Sequence, residues 1–362
     1  MARISRFHVR TRMPVPAEAL FAWHERPGAF ERLNPPFDPV EVLERSGGLE
    51  VGARTVIQVK VGPIAQRWAA VHTRYQPGHL FEDEQRGGPF RRWVHTHRTE
   101  PSEAGASILD DSISYALPLP PFGDWLGGTF VRSKLERLFA YRHAVTWSDL
   151  SHHQRYAHLP RLRVGVRGGP EYLTHPLLAF LRTGGHQASV IPRDDEGQWD
   201  AVVSVDSETP PGVAPVWVSA VTEGTDVPAS GPRGTLRHVA LRTGHVLTPG
   251  GGALATAWAG SSLGTRHDGA AFPWIALEDW LGVVNRALLD ASAQGALHVS
   301  GSEAITLGNF RREVERLRHE PPRAHPTGIV SESADGLTYG QRLEDALRFL
   351  LGKRRLPSGE PA

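Results

Sequence analysis

Cysteine is absent from the 362 residues. Disulfides, thiol nucleophiles, iron–sulfur clusters and cysteine-type zinc sites are therefore excluded together. Lysine is nearly absent as well. Lys60, Lys134 and Lys353 are its three occurrences, which leaves 37 of the 40 basic residues as arginine. Any mechanism that needs a lysine has three candidates. No run approaches the ~18 uninterrupted apolar residues of a membrane span, and the opening MARISRFHVRTRMPVP lacks an apolar leader core. A cytoplasmic location is the expectation. The 40 Lys and Arg nearly balance 39 Asp and Glu, for a formal charge of +1. That balance argues against a nucleic-acid groove or a polybasic membrane arm.

What remains is an ordinary globular chain, 40% apolar and 22% charged, long enough for two domains at roughly 150 residues each. Residues 1–150 alternate with period two. Thr55, Ile57, Val59 and Val61 share one face of a strand, with Val56, Gln58 and Lys60 on the other. Further strands fit residues 65–75, 79–85, 91–100 and 106–117, parted by Gln-Pro-Gly, Gly-Gly-Pro and Glu-Ala-Gly turns. A short helix is predicted over 16–23. After Pro120-Pro121 the period changes: Val131, Leu135, Leu138 and Phe139 make one face of a helix running to about Trp147. An antiparallel sheet around one long helix encloses an apolar space for a small ligand.

Trp93, His95 and His97 alternate, so both imidazoles share one strand face, which His72 joins from a neighbouring strand. Such a His-x-His pair can ligate zinc or iron. The preferred reading is a hydrogen-bonded polar cluster near the cavity mouth, because spacing fixes no carboxylate beside it. Asp110 and Asp111 are adjacent on a strand and face opposite sides, so they cannot act as a general acid–base pair. Asp110 is expected to be solvated and Asp111 hydrogen-bonded.

The run Trp23–Pro36 (WHERPGAFERLNPP), Gly88-Pro89-Phe90 with Trp93, His95 and His97, and Leu135–His143 (LERLFAYRH) resemble the SRPBCC (START-like) ligand-binding superfamily. The match covers essentially all of residues 1–150. Within it the segments resemble the version that precedes an epimerase-like domain in some bacterial proteins. The resemblance implies a helix-grip fold with a hydrophobic cavity. As fold-level positions for its lining we take Leu20, Val59, Leu109, Leu135 and Phe139.

Residues 151–160 (SHHQRYAHLP) read as a polar linker. A short buried-type strand over 162–166, a turn at Gly168-Gly169, a helix over 173–181 and strands at 187–191 and 200–205 then follow. Strand, glycine turn, helix and strand open a nucleotide-binding βαβ unit. Three later segments, Leu241–Leu254 (LRTGHVLTPGGGAL), Phe272–Trp280 (FPWIALEDW) and Gly295–Ser300 (GALHVS), resemble the bacterial epimerase-like subfamily of extended short-chain dehydrogenases. Leu337–Leu351 resembles the end of that family's C-terminal extension.

Departures from the family bear on function. Its first turn carries Gly-x-x-Gly-x-x-Gly, which admits a pyrophosphate to a helix N-terminus. Here Gly168 is kept, but Glu171 and Thr174 stand at the second and third positions. A carboxylate at that N-terminus satisfies the dipole that phosphates would use and repels them; Glu171 is expected to cap the helix. Arg193 lies where the family places an arginine for the 2′-phosphate of NADP, although a surface arginine is the plainer reading. The family's catalysis needs Tyr-x-x-x-Lys. Four residues after Tyr75, Tyr115, Tyr141, Tyr156, Tyr172 and Tyr339 come His79, Leu119, Val145, Pro160, Pro176 and Leu343, none of them lysine. Gly260-Ser261-Ser262-Leu263-Gly264 matches G-x-S-x-G, yet the residues before it read as a helix, not the strand of a nucleophile elbow. Gly250-Gly251-Gly252 could cradle an anion, with a plain loop as the simpler account.

The expectation is an α+β helix-grip domain (1–150), a linker (151–160), a shortened α/β Rossmann-like domain (161–320) and a C-terminal extension with a disordered tail (321–362). The predicted function is binding of a small hydrophobic or aromatic ligand by the first domain, with a catalytically inactive second domain as scaffold or interaction surface. No catalytic residue, metal or cofactor is assigned. The alternative is an NADP-dependent epimerase or reductase with a non-standard site, holding the dinucleotide through Gly168, Gly169 and Arg193. Nucleic acid is not expected as a partner; a protein partner or a homo-oligomer is left open.

Overall fold

The computed structural model describes residues 4–356 except 62–63, 104, 119–121, 193–194, 196, 207–213, 223–235, 265–266, 302 and 325–341. Arg193, the start of the segment beginning at Leu337 and the tail 357–362 lie outside the described residues.

The chain opens with β1 (Ser5–Met13), α1 (Ala17–Glu25) and the short α2 (Ala29–Arg32). Then come β2 (Glu41–Ser46), β3 (Arg54–Val61), β4 (Ile64–Gln76), β5 (Leu80–Gly87), β6 (Arg92–Pro101) and β7 (Ser107–Ala116). These seven strands form one sheet in the order β1-β7-β6-β5-β4-β3-β2, antiparallel at every junction. Sequential hairpins explain the order, and β1 closes against β7 by register Ser5↔Tyr115 to Met13↔Ser107. Consecutive side chains alternate between faces, so Phe7, Trp93, Ile113 and Tyr115 share the buried concave face.

Helix α3 (Phe122–Gln154) crosses that face. Leu135, Phe139 and His143, spaced by four, are buried together on one stripe. A different stripe, Tyr141, Ala144 and Val145, packs into a second core with Phe349 and Leu350. The helix is therefore covered on two sides. It also runs past the expected limit at Trp147, so the first residues of the 151–160 segment are helical.

The second half carries a six-stranded sheet ordered β15-β12-β11-β10-β8-β9, built from β8 (Arg163–Gly168), β9 (Gln187–Val190), β10 (Ala201–Val205), β11 (Val216–Thr222), β12 (Arg237–Thr243) and β15 (Gly295–Val299). Each junction is parallel. The buried runs Ala-Val-Val-Ser-Val and Trp-Val-Ser-Ala-Val are what a parallel sheet requires. Helices α4 (Glu171–Thr183) and α6 (Leu277–Leu289) pack in one hydrophobic core with Val203, Val218 and Leu241. Val202 and Trp217, of opposite parity, belong instead to a small cluster with Ile191 and Ala214. Trp217 stacks on His238 at 3.9 Å and donates to Ser204 Oγ at 3.0 Å.

Around this sheet lie β13 (His245–Leu247), α5 (Gly252–Trp258), β14 (Trp274–Ala276), α7 (Leu307–His319), β16 (Arg323–Ala324), α8 (Leu343–Leu350) and β17 (Arg354–Arg355). The expected disordered tail begins as ordered chain. Arg354 and Arg355 pair with β16, Leu356 N–H donates to Glu136 O, and the Leu356 side chain is buried among Phe7, Leu135 and Phe139. Ser262 of the G-x-S-x-G match is exposed and follows α5, not a strand. Among the described residues no helix is long and apolar enough to cross a membrane.

Candidate functional site

The concave face of the first sheet is divided between carbon and charge. At one end Trp68, Phe90, Trp93 and Tyr115 interlock: Trp68 lies 4.9 Å from Trp93 and 5.4 Å from Phe90, and Phe90 5.8 Å from Tyr115. Trp93 and Tyr115 are buried, whereas Trp68 and Phe90 keep partial exposure. Next to them Ile57, opposite Trp68 in register, and Val59 are also half-buried. This wall, on β3 and β4, is the incompletely covered part of the inner face.

The five positions taken for a lining do not come together. Leu20 and Leu109 are buried with Met13, Val15, Trp23 and Leu150. Leu135 and Phe139 belong to the core with Phe7 and Trp93. These four are packed core, and Val59 alone keeps partial exposure. Sequence periodicity separates inward from outward faces but not a filled stretch of an inward face from an open one.

At the other end the register sets His72 beside Asp83, Asp83 beside His95, and His97 beside Asp111. A register shift between His72 and Arg74 lets His72 and Tyr75 both point inward. His95 Nε2 donates to Asp111 Oδ1 at 3.1 Å, and His143 Nε2 donates to Asp111 Oδ2 at 2.7 Å. That leaves His143 Nδ1 to accept from the Thr11 hydroxyl, 2.7 Å away. His97 Nδ1 is 2.5 Å from Asp111 Oδ1, in an orientation that does not meet hydrogen-bond geometry, and its ring stacks on Phe81 at 4.1 Å. Asp83 Oδ2 faces His95 Nδ1 at 3.5 Å.

Burial sets the charge states. It lowers the pKa of His95 and of His97, the latter further through His95. It pushes His24 down to about 4, with His97 adding to the effect. Burial also raises Asp83. Asp111 would rise for the same reason, but His97 and the hydrogen bonds from His143 and His95 outweigh burial and hold it well below the ordinary carboxylate range. The result is one firm anion beside His24, His95 and His97, whose charged forms burial disfavours, the groundwork for positioning a polar group or an ion. Asp110, expected in solvent, is instead buried on the outer face between His8 (3.1 Å) and Arg10 (3.2 Å). Asp83 escaped the sequence reading because strand register is set by the fold, whereas His143 had a signal in its helical spacing from Leu135 and Phe139. Asp111 had a visible signal: it shares parity with Leu109 and Ile113.

In doubly wound sheets the ligand crevice lies beyond the C-terminal ends of the strands; the corresponding ends here are Gly168 of β8 and Val205 of β10. Gly168 and Gly169 have φ of 68° and 73°, a backbone only glycine adopts freely. Glu171 is exposed in the first turn of α4, which has no side-chain cap, so it does not cap the helix as expected. Tyr172 lies against the 250–252 loop: a Cβ on Gly251 would stand 2.1 Å from its ring. The glycines there admit the chain's own aromatic ring. Asp206, at φ 48° beyond β10, accepts from the Thr222 N–H at 3.1 Å.

Residues 13–140 match the family described as polyketide cyclase/dehydrase and lipid transport, and the first domain is of this SRPBCC type. A search of curated proteins finds no match. Among solved structures, the nucleoside-diphosphate sugar epimerase from Corynebacterium glutamicum is similar over 97% of this chain and 91% of its own, with 21% identity and a TM-score of 0.71. That likeness extends the shared fold to both halves. Norcoclaurine synthase from Thalictrum flavum, in complex with dopamine and hydroxybenzaldehyde, covers 42% of this chain and 89% of its own at 14% identity and a TM-score of 0.35. The ZhuI aromatase/cyclase from Streptomyces sp. R1128 covers 43% and 98% at 14% identity and 0.33.

Proposed function

We propose that the first domain binds a small hydrophobic or aromatic molecule, and that the second, read as a shortened Rossmann-like domain, is a non-catalytic scaffold. The observation that carries this reading is the half-covered wall of Ile57, Val59, Trp68 and Phe90 beside the buried histidine–aspartate group. Apolar and aromatic lining with a few convergent polar groups is the usual make-up of a small-molecule site. The family matched by residues 13–140, with its lipid-transport members, supports the same class of ligand.

Loss of dinucleotide binding is inferred from three features at the crevice. Glu171 places negative charge at the helix N-terminus, Asp206 places another beyond β10, and Tyr172 lies on the glycine loop. The two carboxylates oppose a pyrophosphate, and the Tyr172 ring fills the space that the 250–252 glycines leave. Under the alternative reading, an NADP-dependent epimerase or reductase, Gly168 and Gly169 would hold the cofactor with Arg193. Titration with NADPH, followed by nucleotide fluorescence, decides between them. No saturable binding is expected in the wild type, with binding gained in Glu171→Gly/Tyr172→Ala. A micromolar dissociation constant for the wild type would overturn the scaffold reading. Native mass spectrometry of protein from its own host tests the first domain, where a co-purified apolar ligand is expected.

A further inference from the structure

We propose that Asp83, His95 and His97 form a binding site for a divalent transition-metal ion of the zinc class on the concave face of the first domain. These residues each offer one ligand atom, all within 4.8 Å of one another, a span that small side-chain rotations close. Two imidazole nitrogens and one carboxylate oxygen suit zinc, cobalt or ferrous iron, and exclude neither a water nor a ligand group from the remaining position.

The tautomer of His95 is the first argument. Its Nε2 donates to Asp111, so its Nδ1 carries the lone pair, and that lone pair faces Asp83 Oδ2 at 3.5 Å. The distance is long for a hydrogen bond. It is close to the separation of about 3.3 Å between two ligands on one tetrahedral ion with bonds near 2.0–2.1 Å. Two acceptor atoms at that separation are satisfied by a shared proton or by a metal cation, and the distance, long for a hydrogen bond, favours the larger ion. The second argument is the surrounding shell. Metal-bound histidines generally donate their other ring N–H to a carboxylate, a backbone carbonyl or water, and Asp111 takes that part for His95 while His143, itself bonded to Thr11, holds Asp111 in place. Asp111 is thus a positioning residue, not a ligand. Third, the position is half-covered: Asp83 and His97 keep partial exposure while His95 is buried, which leaves a path for the ion. His72, opposite Asp83 in register, has a buried Nδ1 with no hydrogen-bond partner and is a source of a fourth ligand.

The site lies at the polar end of the face read above as the ligand site, but its test is separate, since an ion would bind with the apolar wall empty or filled. The test uses the untagged full-length chain, stripped with a chelator and titrated with Zn2+ by calorimetry and with Co2+ by visible absorption. One equivalent is expected, with Co2+ bands of four- or five-coordinate nitrogen–oxygen ligation. Asp83→Asn, which keeps the volume, and His95→Gln should each remove that equivalent, and Asp111→Asn should weaken it about tenfold or more. Circular dichroism and melting of the apo variants check that each is folded; should His95→Gln fail to fold, Asp83→Asn carries the test. Absence of saturable Zn2+ binding in the wild type, or an unchanged stoichiometry and affinity in Asp83→Asn, would overturn the proposal.

Discussion

Gly251 shows how one missing side chain shapes the second domain. Its backbone is extended, so any residue could adopt it, yet a Cβ there would stand 2.1 Å from the Tyr172 ring. Close approach, not backbone freedom, requires the glycine. Gly251→Ala should cost about 1–3 kcal/mol by overpacking, and the penalty should nearly vanish in a Tyr172→Ala background, because the two residues couple directly. Urea denaturation of the four-member cycle checks this. A penalty that persists without the ring would assign the glycine to another cause. The anion-cradle alternative for Gly250–Gly252, set beside a plain loop, came from its place between a strand and a helix. A neighbour 78 residues away in sequence from Gly250 decided the matter, and nothing local signals it.

At the scale of elements, the strands β3 to β7 were legible to within a residue or two because period two survives in their residue types and turn signals part them, even in β4, where no residue is fully buried. β2, exposed along its length, carries no such pattern and was missed. Helix α3 illustrates the opposite failure: it outlasts its predicted end because residues remote in sequence cover the added turns, with Arg32 and Thr183 on Asp149, Asn285 on the His152 carbonyl and Phe180 against His153. The segment after α8 makes the same point. Leu356 fills part of the first domain's core beside Leu135 and Phe139. Leu356→Ala should destabilise by about 2 kcal/mol, the low end for a buried leucine because a strand end can relax. It should also change the tryptophan emission of Trp68 and Trp93, which pack in that cluster. An unchanged midpoint in chemical denaturation would show that the tail is a bystander.

Across the whole molecule the two halves meet at a polar, buried junction. Arg32 binds Asp149 in a two-point contact (3.0 and 2.7 Å) and also reaches Glu278, joining α2, α3 and α6. Burial lifts Asp149 to about 6 against the pull of Arg32. Beside this lie His152, His153 and His186. Burial pushes His152 and His186 to about 4, with Arg155 and Arg161 respectively adding to it, and His153 well below its ordinary value. These imidazoles are neutral when folded and take up protons more readily when unfolded. Their contribution is therefore present above about pH 6.5 and is lost as pH falls toward 4, while Asp149, which holds its proton better when folded, offsets part of that loss below about pH 6. At 1.36 kcal/mol per unit, His152 alone accounts for about 3 kcal/mol across that window. Stability by urea titration should fall steeply between pH 6.5 and 4 in the wild type, and less steeply in His152→Gln. Equal slopes would exclude the junction as the source.

The sequence by itself determined the chemistry that is excluded, the sheet-and-helix composition of each half, and the departures at Glu171 and at the tyrosines that lack a lysine partner. These are local properties: residue type, spacing and period survive without a partner strand. Tertiary structure alone decided that Asp83 and Asp111 join His95 and His97, that Leu20, Leu109, Leu135 and Phe139 are packed core, and that the tail returns to the first domain. Register and packing link residues far apart in the chain. A one-residue slip would send Asp83 to the opposite face, and no pattern within β5 forbids it.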